Sequence, residues 1–507
     1  MGKVSVALTG MPTNYAKPGT YLEVQFAQGT LLGNPGIPKV LIIGPKRSTG
    51  TATNDTMVYS ASTEASVITL TGAGSPVHRA WKRFTQICSV ADVYFICPAE
   101  SAGTPATDTM TFAVNATGAG VASYTCCGET VQVSYSSGDA FDTVIAAGMV
   151  AAINAQTHWP VIAVQGIGGA SGQVIITAKI KGTNGNWIRH RGSVTAGTGV
   201  TCSVTLAKLA TGAVDETYTT ALTTILASQY DYIVPCINPT STADTRLSAL
   251  TAQMTAQALP TTGIRAQAIV ATQETLATAT TFASGQNKPR LSIVWQKNGE
   301  FESIEAAAIV AGVRYNKETG ADPGVSYDSY GLKVNDVWTL PGQYSVSDYP
   351  TAADINTAVS VGLTPIGVTS SKATYIVMSC TSAGADPRIR DASKVTVCDR
   401  FAADLASRYG SQWAGAKVAD DVANGATVPP ANVCTPDRLK SLTITPLLAQ
   451  YESLGLLTHV SDSGGSIAST ACGLDPVVTT RINARIPLYV TPLLHQFAGL
   501  ISESSSG

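Results

Sequence analysis

From Lys39 to Cys97 an apolar run, a capped amphipathic helix and a second apolar run follow one another, and that order admits few folds. Lys39-Val40-Leu41-Ile42-Ile43-Gly44 is continuously apolar, the pattern of a central strand covered on both faces. Ser75-Pro76 then sets a helix start, with Ser at the N-cap and Pro in the first turn. Val77, Trp81, Phe84 and Ile87 recur along it at helical spacing, and Val93-Tyr94-Phe95-Ile96-Cys97 is the next strand. Strand, helix, strand predicts an α/β core.

Around residue 103 the texture changes. Met110 to Val114, Val131 to Tyr135, Val161 to Val164, Val174 to Ile180 and Val200 to Leu206 are short alternating segments separated by Gly, Thr and Ser turns. One helix interrupts them, with Phe141, Ile145, Met149 and Ile153 at i, i+4, i+8 and i+12. This predicts a β-rich, sandwich-like domain at 103–213, inserted into the α/β unit. The α/β texture resumes with strands at Tyr232 to Pro235, Ala266 to Val270 and Leu291 to Trp295. Helices carry Leu247, Leu250 and Met254, then Ile304 to Val313. Thr351 with Asp354 resembles a capping box opening a helix through Val361. A strand at Thr374 to Met378, a helix around Phe401 to Tyr409 and another from Asp437, bearing Leu439, Leu442, Leu447, Leu448 and Tyr451, complete an α+β C-terminal part.

Both ends of the chain are strand-like. Thr20 to Gln28 alternates strictly, Leu22, Val24 and Phe26 against Tyr21, Glu23 and Gln25, between Lys17-Pro18-Gly19 and Gly33-Asn34-Pro35-Gly36. Ile486, Leu488 and Val490 alternate with Pro487, Tyr489 and Thr491, and Leu493 to Ile501 with Phe497 follows. A strand isolated between loops is expected to pair outside itself. The expected organisation is therefore an N-terminal arm at 1–36, a discontinuous α/β core at 37–102 and 214–350, the insert at 103–213, an α+β assembly domain at 351–483 and a C-terminal arm at 484–507.

Charge and cysteine usage narrow the function. Only 13% of the 507 residues are charged, about half the usual ~25%, as suits faces covered by neighbours. The net charge is −2 and there is no concentrated basic stripe, so nucleic acid is not an expected partner. The first residues lack a signal-type apolar region, and no stretch approaches the ~18 apolar residues of a membrane span, so no direct membrane insertion is expected. Ten scattered cysteines without a C-x-x-C pair read as small buried hydrophobes of a reducing compartment.

No motif carries chemistry. Gly44-Pro45-Lys46-Arg47-Ser48-Thr49-Gly50-Thr51 lacks the phosphate-loop order, and Pro45 removes a backbone donor, so a plain turn is expected. The five histidines (78, 158, 190, 459, 495) have no metal-ligand spacing, and His190, in Arg189-His190-Arg191, reads as part of a solvated basic turn. Ser75 fails the nucleophile-elbow pattern and already has a role as a cap. Asp420-Asp421 reads as a loop-end salt bridge. No catalytic, cofactor-binding or metal-ligating residue is assigned, and no enzyme is expected.

The order of several segments resembles the contractile-tail sheath family of myophages, particularly its Mu-like branch. Tyr21-Leu22-Glu23-Val24, Val40 to Lys46, Gly74-Ser75-Pro76-Val77 and Val93 to Ile96 fall in the family's order. So do Glu305 to Ala308, Thr351 to Ile355, Ala385 to Asp391, Lys417 to Asp421, Thr435 to Arg438 and Tyr451 to Leu457. The β-rich stretch resembles the decoration many Mu-like sheaths carry at this place. Ser379-Cys380-Thr381 departs from the Thr-Thr-Tyr that relatives tend to have. The resemblance implies a structural protein of the virion tail, assembled in the bacterial host cytoplasm. It implies a homo-oligomer of stacked hexameric rings forming a helical sheath around a tail tube protein, with baseplate and tail terminator proteins as further partners. It implies contraction that drives the tube through the host envelope for genome delivery. It also implies that the arms, through Tyr21, Leu22, Val24 and Phe26 at one end and Ile486, Leu488, Val490 and Phe497 at the other, join subunits by β-strand augmentation. Two other classes compete: an adhesion protein acting through the β-rich insert, and a nucleotide-dependent enzyme resting only on the 44–51 loop.

Overall fold

The computed structural model describes residues 39–88, 92–166, 172–204, 207–239, 244–299, 301–318, 349–368, 374–386, 389–421 and 429–491. They fall into two compact units divided at Val395/Thr396, and each is considered by itself.

The first unit begins with β1 (Lys39–Ile43), β2 (Val58–Ser60), α1 (Glu64–Thr71), α2 (Pro76–Ile87) and β3 (Asp92–Ile96). Its insert contributes β4 (Pro105–Ala113), β5 (Gly120–Cys126), β6 (Glu129–Tyr135), α3 (Ala147–Ala155), β7 (Val161–Gln165), β8 (Gln173–Lys181), β9 (Arg189–Val194), β10 (Thr201–Cys202) and β11 (Ala207–Lys208). The chain then returns through α4 (Thr219–Thr224), β12 (Tyr232–Pro235), α5 (Thr245–Gln257), β13 (Gln267–Thr272), α6 (Leu276–Gln286) and β14 (Leu291–Trp295). It continues with α7 (Ser303–Glu318), α8 (Ala352–Ser360), β15 (Leu363–Val368) and β16 (Thr374–Ile376).

Eight of these strands form one sheet in the order β16-β15-β14-β13-β12-β1-β3-β2. The six inner strands run parallel, and β16 and β2 close the two edges antiparallel. Val40, Ile42, Phe95 and Val234 meet Trp81, Phe84 and Ala307 on one face. Leu41, Ile43, Ile233 and Val270 meet Leu247, Leu250, Met254 and Phe282 on the other. Burial on both faces is why these strands read as unbroken apolar runs. Two start signals are realised in full. Ser75 Oγ accepts from the His78 amide at 3.2 Å, and Thr351 and Asp354 exchange both bonds of the capping box. Ser75→Ala is expected to cost about 1 kcal/mol, read as a lowered urea midpoint at unchanged slope.

The insert is two four-stranded sheets, β10-β4-β8-β7 and β11-β9-β5-β6, all antiparallel. They share one apolar cluster drawn entirely from residues 106–209, including Met110, Phe112, Tyr124, Trp159 and Ile176. The interrupting helix opens with a π turn at Phe141–Ala146 before α3, and Ile145, Met149 and Ile153 are buried as their spacing predicts.

Three expectations are corrected. The boundary at 350/351 moves to 395/396: β15 pairs in parallel with β14, Ile293 opposite Leu363, and α8 packs on the same sheet. The backbone groups along β14 find their partners there. His190 is not in a solvated turn. It lies in β9, buried, its Nε2 2.9 Å from Asp108 Oδ2, because strand alternation turns the ring inward. Residues 484–491 do not stand clear of their own unit, as the next section details.

Candidate assembly site

The C-terminal unit takes up the chain within α9 (Ala392–Trp413), which spans the division. It continues with β17 (Lys417–Val418), β18 (Val433–Cys434), α10 (Pro436–Leu439), α11 (Thr445–Ser453), α12 (Ser466–Ser469), β19 (Ala471–Leu474) and β20 (Ile482–Arg485). A π turn at Lys440–Ile444 joins α10 to α11. Pro446 follows in the first turn of α11, where its missing N–H breaks the regular ladder. Phe401, Leu405, Trp413, Leu447, Leu448, Tyr451, Leu457 and Val460 form the core.

Strand pairing in this unit is sparse. β17 pairs with β18 in parallel and β19 with β20 antiparallel, and among the described residues neither pair has a third strand. Two-stranded sheets are marginal alone, and their free edges are templates for another strand. The β19–β20 turn is fastened by Asp475, which accepts from the amides of Val477 and Val478, both at 2.8 Å, and from Asn483 at 2.8 Å, and pairs with Arg481. Burial pulls the Asp475 carboxyl up, but these donors outweigh it and hold the group well below the usual range.

Of the predicted arm residues, Tyr21, Leu22, Val24, Phe26 and Phe497 lie outside the described residues. Leu488 is buried in the unit's own core, with Ile486 and Val490 packed against it. Val490 bridges Leu457, and Thr458 N donates to Tyr489 O at 3.1 Å. The segment expected to leave the subunit at residue 484 is thus part of the fold as far as Thr491, while Pro487 keeps it from continuing β20 as a regular ladder.

The residues weighed for chemistry are engaged structurally. Lys46 Nζ donates to Gly50 O at 2.9 Å and Arg47 Nη1 to Ala73 O at 2.9 Å. A Cβ on Gly50 would lie 2.5 Å from Leu70 O, so the loop is packed down on the end of α1. Asp421 forms no loop-end salt bridge among the described residues; its Oδ1 accepts from the Asp437 amide at 2.7 Å in the first turn of α10. His78, His158, His190 and His459 each contact one carboxylate, and His495 lies outside the described residues. Among the described residues no three His, Cys, Asp or Glu side chains are placed to hold a metal. Eight cysteines are buried, and Cys126 and Cys127 keep their sulfurs 3.8 Å apart.

A polar cluster that spans the insert and the α/β core was missed from sequence. Beneath the insert, Arg79 of α2 pairs with Glu302 and donates to Glu305 at 2.6 Å, and Arg83 donates to Glu305 at 2.9 Å. Arg83 also reaches Glu129 of the insert at 3.2 Å, and that carboxylate takes His158 at 2.5 Å and Trp159 Nε1 at 2.8 Å. Burial, with Arg79 opposing and Glu305 reinforcing, pushes the Glu302 carboxyl up to about 7. Burial also works to raise Glu129, but His158, Trp159 and Arg83 together bring it down to about 2. The readable signal was opposite charge at helical spacing, Arg79 and Arg83 at i, i+4 and Glu302 and Glu305 at i, i+3.

Further contacts fasten the insert, among them Arg189 of β9, which donates to Asn298 O and Oδ1 at 3.3 Å each. Asn184 donates to Cys236 O at 3.0 Å and accepts from the Asn238 amide at 3.1 Å. Asp215 accepts twice from Thr183, at 2.7 Å each, while pairing with Arg246 at 3.1 Å. Cys236 and Asn238 follow β12, where the strand order reverses between β1 and β12 and open α/β sheets have their ligand crevice. Here the insert roofs that crevice and leaves about 40 Å³, room for a few waters.

The fold thus defines a mixed α/β protein of several sheets, with a β-sandwich insert and a small C-terminal unit holding two two-stranded sheets among its described residues. No family model matches the chain. The chain is 27% identical over 374 residues to the Mu-like prophage FluMu tail sheath protein of Haemophilus influenzae, an overlap of 71% of this chain and 74% of that relative. Among solved structures it is similar to the sheath tail protein of Desulfitobacterium hafniense, with a TM-score of 0.45, 14% identity and coverage of 90% of this chain and 97% of the other. It is also similar to the sheath tail protein of Listeria innocua, with a TM-score of 0.44, 13% identity and coverage of 89% and 95%.

Proposed function

We propose that this chain is a contractile-tail sheath subunit of the Mu-like branch, a structural protein that works by assembling with copies of itself. The observation that carries the reading is the 374-residue similarity to a tail sheath protein. It is supported by the two-stranded sheets of the C-terminal unit, whose free edges are acceptors for a strand from outside.

In this reading the strand-like segment around Tyr21, Leu22, Val24 and Phe26 adds to β17–β18 or β19–β20 of a neighbouring copy. Residues beyond Thr491, with Phe497, do the same at the other end. Ile486, Leu488 and Val490 anchor the root of that second link in their own subunit. Links of this kind are made by backbone hydrogen bonds, so neighbours can swing about them without separating. Hexameric rings stack around a tail tube between baseplate and terminator, and contraction to a packing with more buried surface drives the tube forward. The insert rides on the core's outer side. Sedimentation velocity of the purified full chain tests this: fast, concentration-dependent polymers are expected, and a monomer boundary at all concentrations would contradict it.

A further inference from the structure

A free strand edge accepts any strand that fits it, so a chain whose copies join by lending strands must keep its other edges closed. The two sheets of the insert end in β10 and β7, and in β11 and β6. β10 and β11 are two residues long, too short to hold a partner. β6 exposes Thr130, Gln132 and Ser134, and α3 packs on its Val133 through Gly148, where a Cβ would come within 2.9 Å. β7 differs. Val161-Ile162-Ala163-Val164 is apolar throughout, carries no charge or proline, and exposes Ile162 and Val164. Short uncharged segments of this kind are the ones that template strand addition.

The edge of β7 is stopped at its middle. Lys179 N donates to Pro160 O at 2.7 Å and Gly166 N to Gln173 O at 3.0 Å, so the even-numbered residues bond to β8. The backbone groups of Ala163 therefore face the open side. There Asn154, near the end of α3, meets both of them: its Nδ2 donates to Ala163 O at 2.7 Å and its Oδ1 accepts from Ala163 N at 2.9 Å. A side-chain amide offers the donor and the acceptor that a neighbouring strand would offer. Burial of Met149 and Ile153 on α3, and of Trp159 just before β7, sets the amide in that position.

From this geometry we infer that Asn154 is a gate on the β7 edge, which keeps a second copy of β7 from adding there. Two β7 strands paired antiparallel about Ala163 would set Ile162 of each opposite Val164 of the other, a favourable apolar pair on both sides of the centre. The central rung of that pairing is made by the two Ala163 peptide groups, the groups that Asn154 holds. The gate leaves the sheets of the C-terminal unit as the edges open to neighbours. That consequence rests on the assembly reading above, whereas closure of the edge stands on the two Asn154 bonds.

Hydrogen exchange at the Ala163 amide of the full chain, dilute and concentrated, tests the gate, with sedimentation run alongside. In the wild type the amide should be equally protected at both concentrations. In Asn154→Ala it should exchange about tenfold faster when dilute, the effect of one lost hydrogen bond. When concentrated it should regain protection, together with a sedimenting species absent from the wild type. Asn154 is exposed and alanine is the better helix former, so this variant keeps the fold. Adding Ile162→Lys to Asn154→Ala should leave exchange fast at both concentrations, because a lysine on an edge strand repels its copy. Unchanged exchange in Asn154→Ala, or protection that never returns with concentration, would overturn the gate. Equal recovery in the lysine variant would also overturn it, by placing the association elsewhere. A wild type that stays monomeric removes the assembly reading, and the Ala163 pattern still decides the gate.

Discussion

Replacing Glu305 by alanine is expected to destabilise the α/β unit by about 3–5 kcal/mol, the cost of removing one partner from a buried ion pair. Glu305 is buried and accepts from Arg79, from Arg83 and from the Glu302 amide at 3.2 Å. Without it, Arg79 retains only Glu302 and Arg83 only Glu129 among carboxylates, and neither guanidinium can shed its charge. Glu305→Gln keeps the shape and one acceptor and is expected to fall between. Urea denaturation of the full chain, followed by a probe in the α/β unit, measures the difference. A loss below about 1 kcal/mol would mean that solvent reaches the cluster and screens it.

The second large effect separates folding from assembly at the C-terminal end. Deleting 484–507 removes Leu488 from the core of the C-terminal unit together with the packing of Ile486 and Val490. It also removes the hydrogen bonds that Tyr489 and Thr491 make with Thr458 and Leu456. That truncation is expected to cost about 2–5 kcal/mol, as for deletion of a buried large apolar side chain, and would disturb assembly merely by loosening the subunit. Deleting 492–507 leaves every one of those contacts. It is expected to leave the melting temperature of the C-terminal unit within about 2 °C and to abolish polymers in sedimentation. Normal polymers from the shorter truncation would remove Phe497 and its neighbours from any role in joining subunits.

How far the sequence determines this structure depends on how local each signal is. Caps are local, and Ser75, Thr351 and Thr435 all start helices where their side chains reach the first-turn amides. The apolar run at Lys39–Ile43 needs only burial on both faces, so it was readable as a central strand. β15 was not, because Pro365 and Gly367 within six residues read as breakers. In the fold Tyr375 of β16 covers Gly367 so closely that a Cβ there would lie 2.6 Å from its ring. Only the pairing across β15 and β16 makes that segment a strand, and pairing is a long-range fact. His190 was misplaced for a related reason. Two flanking arginines suggest solvent, whereas a strand turns alternate side chains to opposite faces and takes the middle one inside. The cluster beneath the insert draws Arg79, Glu129, His158 and Glu302 from segments more than twenty residues apart, and the charge spacing within a segment does not say which other segments it meets.

Negative-stain imaging of the purified full chain bears most directly on self-assembly. A sheath subunit gives long tubes or stacked rings of uniform diameter, and these are lost when residues 1–30 or 492–507 are removed. Fields of solitary particles from the full chain, at concentrations where the subunit is folded, would contradict it.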